Sequence, residues 1–387
     1  MNINPSKRMA QFSPAIFGDL KQAAMKKAQT GVPIFDLSLG SPDIPPAHIV
    51  REKLSQTSAD EKMYGYTLGG IQRFNEAVAD YYRRRSNVNI DPRTEVVQTM
   101  GSQEGIVHLP FAFCNKGDIV LTTDPAYVAY DVGINLAEAE PYYMPLTAEN
   151  NFLPDLKAIP DDIVKKATLL ILNLPGNPVP ATPTEEYFEE VVAFAKKHNI
   201  LVLHDAAYSE YYFEGDRPMS FLSTPGAMDV GLEINSLSKS FSLAGARIAY
   251  IVGNREAVSI MKQLKSNLDY GTFAPIQEAA IVALNNAEEI TDRLRETFSE
   301  RHHILMDGMK ELGWETTASS GGMFVWAKYP QKMDDIDFVF HVIDEVGVVL
   351  VPGSIFGPAG KGFVRIALVQ EPEILQSAIE QLKKLPV

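Results

Sequence analysis

Apolar positions along this chain fall into two rhythms. Ile71, Phe74, Val78, Tyr81 and Tyr82 recur at three- to four-residue spacing, which predicts a helix, with Pro92 as the breaker beyond it. Short unbroken apolar runs then mark strands at residues 96–97, 119–121, 169–172, 200–203, 232–234 and 248–252. Helical patterns lie between most of them, as over residues 185–198. Such alternation predicts an α/β fold whose large domain has a mostly parallel sheet covered by helices. In sheets of this kind ligands gather at the carboxyl ends of the strands.

From Pro275 a long helical stretch runs to about Leu312. Strand-like residues 323–327, helix-like 338–346, strand-like 348–351 and 363–368, and a closing helix follow it. This reads as a smaller α+β domain, which the helical pattern at residues 16–27 joins from the other end of the chain. The expected division is a large cofactor-binding domain at 46–280 and a discontinuous small domain, 1–45 with 281–387, closing over the substrate.

With 387 residues, 45% apolar and 22% charged, the chain has the composition of an ordinary globular enzyme with more than one core. The net charge of −14 without a basic tail disfavours nucleic acid and anionic membrane as partners. Arg83-Arg84-Arg85, Lys26-Lys27 and Lys383-Lys384 read as solvated helix ends. A single cysteine, Cys114, permits no internal disulfide, reads as a small buried hydrophobe and fits the reducing cytoplasm. No long apolar run follows the first charges, so no signal peptide is expected, and no stretch is long and apolar enough for a bilayer. Adjacent His302 and His303 cannot face one site from a helix, so no metal is expected.

The chemistry concentrates where strands end. Lys239 stands in Ser236-Leu237-Ser238-Lys239-Ser240-Phe241-Ser242, just past an apolar strand, with Arg247 eight residues on. Its amine could form a Schiff base with an aldehyde cofactor, while Ser236, Ser238 and Arg247 could hold that cofactor's phosphate. Alone, this would be a basic residue in a polar loop. Gly101-Ser102-Gln103-Glu104-Gly105 opens a helix after a strand, where free amides suit a phosphate, although glycine turns are common there. Asp205 ends a strand and either pairs with a protonated ring nitrogen or caps the next helix. His204, before it, reads as a strand-end core histidine or as a group that orients Asp205. Tyr208 could donate to a phenolic oxygen, as could Asn177 in Asn173-Leu174-Pro175-Gly176-Asn177-Pro178, unless that run is only a rigid turn. Tyr127, in Asp124-Pro125-Ala126-Tyr127, could stack on a planar ring or lie in the core. Arg365 interrupts the apolar run Phe363-Val364-Arg365-Ile366-Ala367-Leu368 and needs a carboxylate, internal or from a substrate.

In chain order, and over nearly the whole length, these runs resemble the class I/II aminotransferases, pyridoxal-phosphate enzymes of fold type I. The resemblance implies that Lys239 carries the cofactor. Asp205 would be the partner of its ring nitrogen, Tyr208 and Asn177 the contacts of its phenolic oxygen, and Tyr127 its stacking aromatic. Gly101, Ser102, Gln103, Ser236, Ser238 and Arg247 would surround the phosphate. Arg365 would clamp the substrate α-carboxylate, assisted by a backbone amide near Gly40. The resemblance further implies a homodimer with shared active sites, in which Tyr64 or Tyr66 reaches the partner's phosphate. It also implies cis bonds at Asp124-Pro125 and Asn177-Pro178. One departure lies beside the ring: Asn177-Pro178-Val179-Pro180 replaces the family's usual Asn-Pro-Thr-Gly. Through His204-Asp205-Ala206-Ala207-Tyr208-Ser209 and the lysine run the chain is also similar to LL-diaminopimelate-type and methionine-salvage-type aminotransferases.

The implied function is a cytoplasmic aminotransferase that moves an amino group between an α-amino acid and a 2-oxo acid. The alternatives are a C–S β-lyase of the same fold and a non-catalytic ligand-binding module, which an intact Lys239, Asp205 and Arg365 disfavour.

Overall fold

The computed structural model describes residues 1–387 except residues 2, 7, 8, 10, 11, 13–15, 214, 216, 320, 386 and 387. Lys7 and Arg8, among the first charges of the chain, therefore lie outside the described residues. In chain order the strands are β1 (Phe35–Asp36), β2 (Val96–Thr99), β3 (Ile119–Asp124), β4 (Glu140–Pro145), β5 (Ala167–Leu172), β6 (Leu201–Asp205), β7 (Gly231–Ser236), β8 (Ala249–Gly253), β9 (Glu315–Thr316), β10 (Phe324–Lys328), β11 (Val348–Val349), β12 (Val351–Pro352) and β13 (Phe363–Ala367).

Seven of them form one sheet in the order β2-β8-β7-β6-β5-β3-β4. Pairs from β7 through β4 are parallel, whereas β8 runs antiparallel to both its neighbours. The expected mostly parallel sheet is therefore present, and the exception positions the site. The link from β7 to β8 holds only the short helix Leu237–Ser240 and a turn at Ala244–Ala246. It contains no helix long enough for a crossover, so the chain returns antiparallel and never leaves the carboxyl edge of β7. Arg247, just before β8, comes back to that edge with it.

The edge strand β4 has no counterpart in the apolar pattern. Its sequence, Glu140-Pro141-Tyr142-Tyr143-Met144-Pro145, holds two prolines and is mostly solvent-facing. An edge strand tolerates proline because one row of its backbone groups needs no partner.

The predicted helical stretch after Pro275 is two helices, Ala274–Asn285 and Ala287–Glu311, broken at Asn286. Their apolar faces serve different cores. Ala279, Ala280, Ala283 and Leu284 pack with Phe74, Val78 and Tyr250 against the large sheet. Leu294, Phe298, Leu305 and Met309 pack with Phe324, Val364, Ile366 and Phe338 in a second cluster, which Leu20 of the helix Phe17–Ala28 joins. The single strand expected at residues 348–351 is likewise divided. β11 pairs with β1 in parallel, while β12 joins the antiparallel order β12-β13-β10-β9.

Two sequence readings need correction or refinement. Arg85 is not a solvated helix end: its guanidinium is largely buried and paired with the buried carboxylate of Glu210, which Arg217 and the Tyr81 hydroxyl also bond. The sequence pattern placed Arg85 at a helix end but could not show that Glu210, far along the chain, folds against it. Cys114 is only partly buried against a hydrophobic cluster, and desolvation pushes its thiol up to about 12.

Candidate active site

β2, β3, β5, β6 and β7 all point one way, so their carboxyl ends line one edge. That edge carries Gly101, Tyr127, Asn177, Asp205 and Lys239 on successive loops. Charge confirms the convergence: the groups acting most strongly on the Lys239 amine are Arg365, Arg247 and Asp205. Burial, then repulsion from the two arginines, lowers the amine to about 8, against the opposing pull of Asp205. Lys239 Nζ donates to the Gly40 carbonyl, and the Tyr211 hydroxyl donates to the Lys239 carbonyl at 3.0 Å. Its hydrogen-bond acceptor is thus a neutral carbonyl and not a carboxylate, which distinguishes this amine from a buried structural lysine.

Asp205 is buried at the end of β6. Its Oδ2 accepts from the Tyr130 hydroxyl at 2.9 Å and its Oδ1 from the Ala207 amide at 3.2 Å. Desolvation raises its carboxyl above the usual range, against the pull of those two donors, His204 and Lys239. The Ala207 contact is cap-like, but it leaves burial uncompensated. A cationic ring nitrogen would supply the missing charge. The neighbouring Asn173 holds this loop and the next one together. Its Nδ2 donates to the Asp205 carbonyl at 2.8 Å, and its Oδ1 accepts the Asn177 amide at 2.8 Å. The Asn177 side chain in turn hydrogen-bonds Tyr208, whose hydroxyl burial pushes far up.

Arg365 lies on β13 between Val364 and Ile366, both wholly buried in the second cluster. Strand alternation therefore turns its side chain the other way, toward Asn177. Nη1 donates to Asn177 Oδ1 and Nη2 to the Ser38 carbonyl, each at 2.8 Å. The guanidinium lies 4.2 Å from the Phe324 ring centre and 5.1 Å from that of Phe356. The residue is 4% exposed, and desolvation lowers it to about 10. Its Nε has no partner, and among the described residues no carboxylate pairs with it.

Two of the phosphate candidates, Arg247 and Gly101, meet directly, and the φ of Gly101 is +80°. That backbone favours glycine, and the missing Cβ leaves room for the Arg247 guanidinium to lie against the turn. Ser102 and Gln103 begin the helix Ser102–Phe113, where amides are free. Ser236 caps the lysine helix, its Oγ accepting the Ser238 amide at 3.1 Å. Tyr127 is partly buried, edge-on to Tyr130 at 5.8 Å, and feels Asp205, Arg247 and Arg365.

Tyr64 and Tyr66 are not brought to this site within the chain. They are 66% and 84% exposed, and the Tyr64 hydroxyl donates to the Ser58 carbonyl. The His204 ring nitrogens are engaged elsewhere than on Asp205, 3.0 Å from Glu233 Oε2 and 2.9 Å from the Leu174 carbonyl.

Sequence reasoning missed Tyr130, Asn173 as a brace, the Ser38 carbonyl, Phe324 and Phe356. Only Tyr130 left a signal, a second tyrosine one helical turn after Tyr127. Both expected cis bonds are present, at Asp124-Pro125 and Asn177-Pro178, together with an unanticipated one at Leu174-Pro175.

A buried lysine and a buried carboxylate at one sheet edge, faced by a buried guanidinium from the smaller sheet, suit an enzyme of the cofactor-bearing α/β class. The chain belongs to the class I and II aminotransferases, whose common pattern matches residues 32–382. It is a pyridoxal-phosphate-dependent transaminase, acting between an amino acid and a 2-oxo acid. It is 42% identical over 383 residues to the LL-diaminopimelate aminotransferase of Aquifex aeolicus, covering 98% of each chain. It is 40% identical over 384 residues to that of Desulforudis audaxviator, covering 99% of this chain and 98% of the relative. Among solved structures, apo-BacF from Bacillus subtilis superposes with a TM-score of 0.95 at 35% identity, over 100% of this chain and 99% of that one. A probable N-succinyldiaminopimelate aminotransferase from Thermus thermophilus gives a TM-score of 0.91 at 34% identity, over 96% and 100%. No helix among the described residues is long and apolar enough to cross a membrane.

Proposed function

We propose that the cleft at the carboxyl edge of the large sheet is the catalytic site and that LL-diaminopimelate is its amino donor. The observation that carries the site is Arg365: a buried cation with a free Nε and, among the described residues, no carboxylate of its own. The substrate follows from the relatives' activity at about two-fifths identity over the full length.

The side chains fit the cofactor. The lysine amine that meets a neutral carbonyl, the desolvated carboxylate and the glycine-cleared Arg247 match an aldehyde, a ring nitrogen and a phosphate respectively. Bound here, pyridoxal phosphate supplies the aldehyde for amine exchange and a ring that delocalises negative charge from the substrate Cα. Lys239 would hold the aldehyde, and its Nζ, when free, would be the base for the substrate Cα proton. An amine that titrates near 8 suits that role. Asp205 would face the ring nitrogen and favour its protonated form by opposite charge. Tyr208 and Asn177 would bond the phenolic oxygen, and Tyr127 would cover the ring. Amides at Gly101, Ser102 and Gln103, with Ser236, Ser238 and Arg247, would receive the phosphate. Arg365 takes the substrate α-carboxylate, with Gly40 beside it.

The separate packing of Leu20, Phe298, Phe324 and Phe338, away from the cluster around Phe74 and Tyr250, supports a division into a large domain, about 46–280, and a small one, 1–45 with 281–387, closing over the substrate. We also infer a homodimer in the cytoplasm, the compartment that a lone cysteine suits. Tyr64 packs edge-on to Phe273 at 5.2 Å and Tyr66 lies 5.1 Å from Tyr270, with exposed Leu68 and Leu268 in the same two segments. An exposed apolar patch of this kind suits a second copy, and Tyr64 or Tyr66 would reach the partner's phosphate from it. Assaying LL-diaminopimelate and other amino donors against a panel of 2-oxo acids tests the substrate. Turnover should be highest with LL-diaminopimelate, and no turnover with it would overturn that assignment. A monomer in sedimentation would overturn the dimer.

A further inference from the structure

Glu104 is the third residue of the helix that starts at Ser102, the end assigned above to the cofactor's phosphate. Its Oε2 accepts the Met100 amide at 2.5 Å and so ties down the strand-to-helix turn just before Gly101. Burial alone would raise this carboxyl, but His108, Lys265 and the Met100 amide hold it below the usual range. An ionised carboxylate and a phosphate would then share one helix end, where like charges repel.

The remedy lies in the helix Arg255–Leu268. Lys265 is 3% exposed, and its Nζ lies 3.2 Å from Glu104 Oε2 and 2.8 Å from Asp269 Oδ2. Asp269 is itself fixed by the Gly271 amide at 2.7 Å. A lysine so deeply buried needs carboxylate partners, and here one partner is the residue that braces the turn. His108 Nδ1, 3.2 Å from Glu104 Oε1, is the other group facing that carboxylate.

We propose that Lys265 is a positioning residue for the cofactor's phosphate: it neutralises Glu104, so that this carboxylate can brace the Met100-Gly101 turn without repelling the phosphate. The inference rests on the phosphate assignment made above. A purely structural Lys265 would only join two helices, and removing both charges would then be no better than removing one.

The test is titration of the apo form with pyridoxal phosphate, followed by visible absorbance, and with inorganic phosphate, followed by calorimetry. Lys265→Met should weaken both ligands by on the order of tenfold or more, since Glu104 is left uncompensated. Lys265→Arg should stay close to the parent. The pair Glu104→Gln with Lys265→Met should regain most of the lost affinity. Unchanged binding in Lys265→Met, or a double variant as weak as the single, would overturn the proposal. If Lys265→Met does not fold, the double variant decides alone: near-parent affinity supports the proposal and its loss overturns it. Arg247→Ala separates the two levels. Parent-like phosphate affinity in that variant removes the phosphate assignment itself. Weakened affinity there with an unchanged Lys265→Met removes only the role of Lys265.

Discussion

The Tyr130 hydroxyl donates to Asp205 Oδ2 across 2.9 Å, with both groups buried. This bond opposes the desolvation that raises the Asp205 carboxyl. Tyr130→Phe removes the donor and leaves the packing, so the carboxyl should protonate more readily. Since Asp205 acts as an anion, the acid limb of kcat/KM should move to higher pH. A bond to a charged group is worth roughly 1.5–3 kcal/mol, so turnover should fall about tenfold or more. An unmoved acid limb would reduce Tyr130 to a packing residue.

Asp205→Asn goes further, removing the charge and leaving an acceptor for only one of the two donors, Tyr130 and Ala207. Substrate Cα–H cleavage, followed as exchange of the α-hydrogen with solvent, should slow far more than cofactor affinity declines. Equal exchange rates would show that the carboxylate does no more than cap the Ala207 amide.

Lys239 should behave as an unusually acidic amine. Its value near 8 means that in the apo form it is largely neutral and nucleophilic above that pH, whereas a solvated lysine stays protonated to about 10.4. The pH dependence of its acylation, read by mass spectrometry of the Lys239 peptide, should have a midpoint near 8. A midpoint near that of a solvated lysine would contradict the burial. In the loaded protein, borohydride should fix the cofactor to the same peptide, and Lys239→Ala should abolish nearly all turnover while keeping the fold.

Much of this arrangement is legible in the sequence because it is carried by loops that follow apolar strands. Runs that end in Gly101, Asp124, Asn173, Asp205 and Ser236 place five loops at one edge once the sheet is parallel. Lys239 and Arg247 flank the one reversal. What the sequence hides depends on approach between distant segments. Ser38 enters through its carbonyl, which no side chain announces. Phe324 reads as core and is also the surface beneath a guanidinium. The break at Asn286 follows from a change of packing partner, not from a proline or glycine. β4 is held by its neighbour's ladder despite prolines that argue against a strand.

Arg365 offers the most direct test of substrate recognition. Its two terminal nitrogens are held by Asn177 and the Ser38 carbonyl, Phe324 and Phe356 flank it, and Nε is free. The fork is thus fixed before any ligand arrives, which lowers the ordering cost of binding. Arg365→Lys keeps a positive charge but loses the planar fork and the contact with both held acceptors. KM should rise for every amino acid and every 2-oxo acid alike, because all share the α-carboxylate. With charge-assisted bonds worth roughly 1.5–3 kcal/mol each, kcat/KM should drop at least about tenfold. The visible spectrum of the loaded protein without substrate should barely change, since Lys239 and Asp205 are intact. If kinetics stay normal and only the melting temperature moves, Arg365 is a structural cation and the α-carboxylate is read elsewhere.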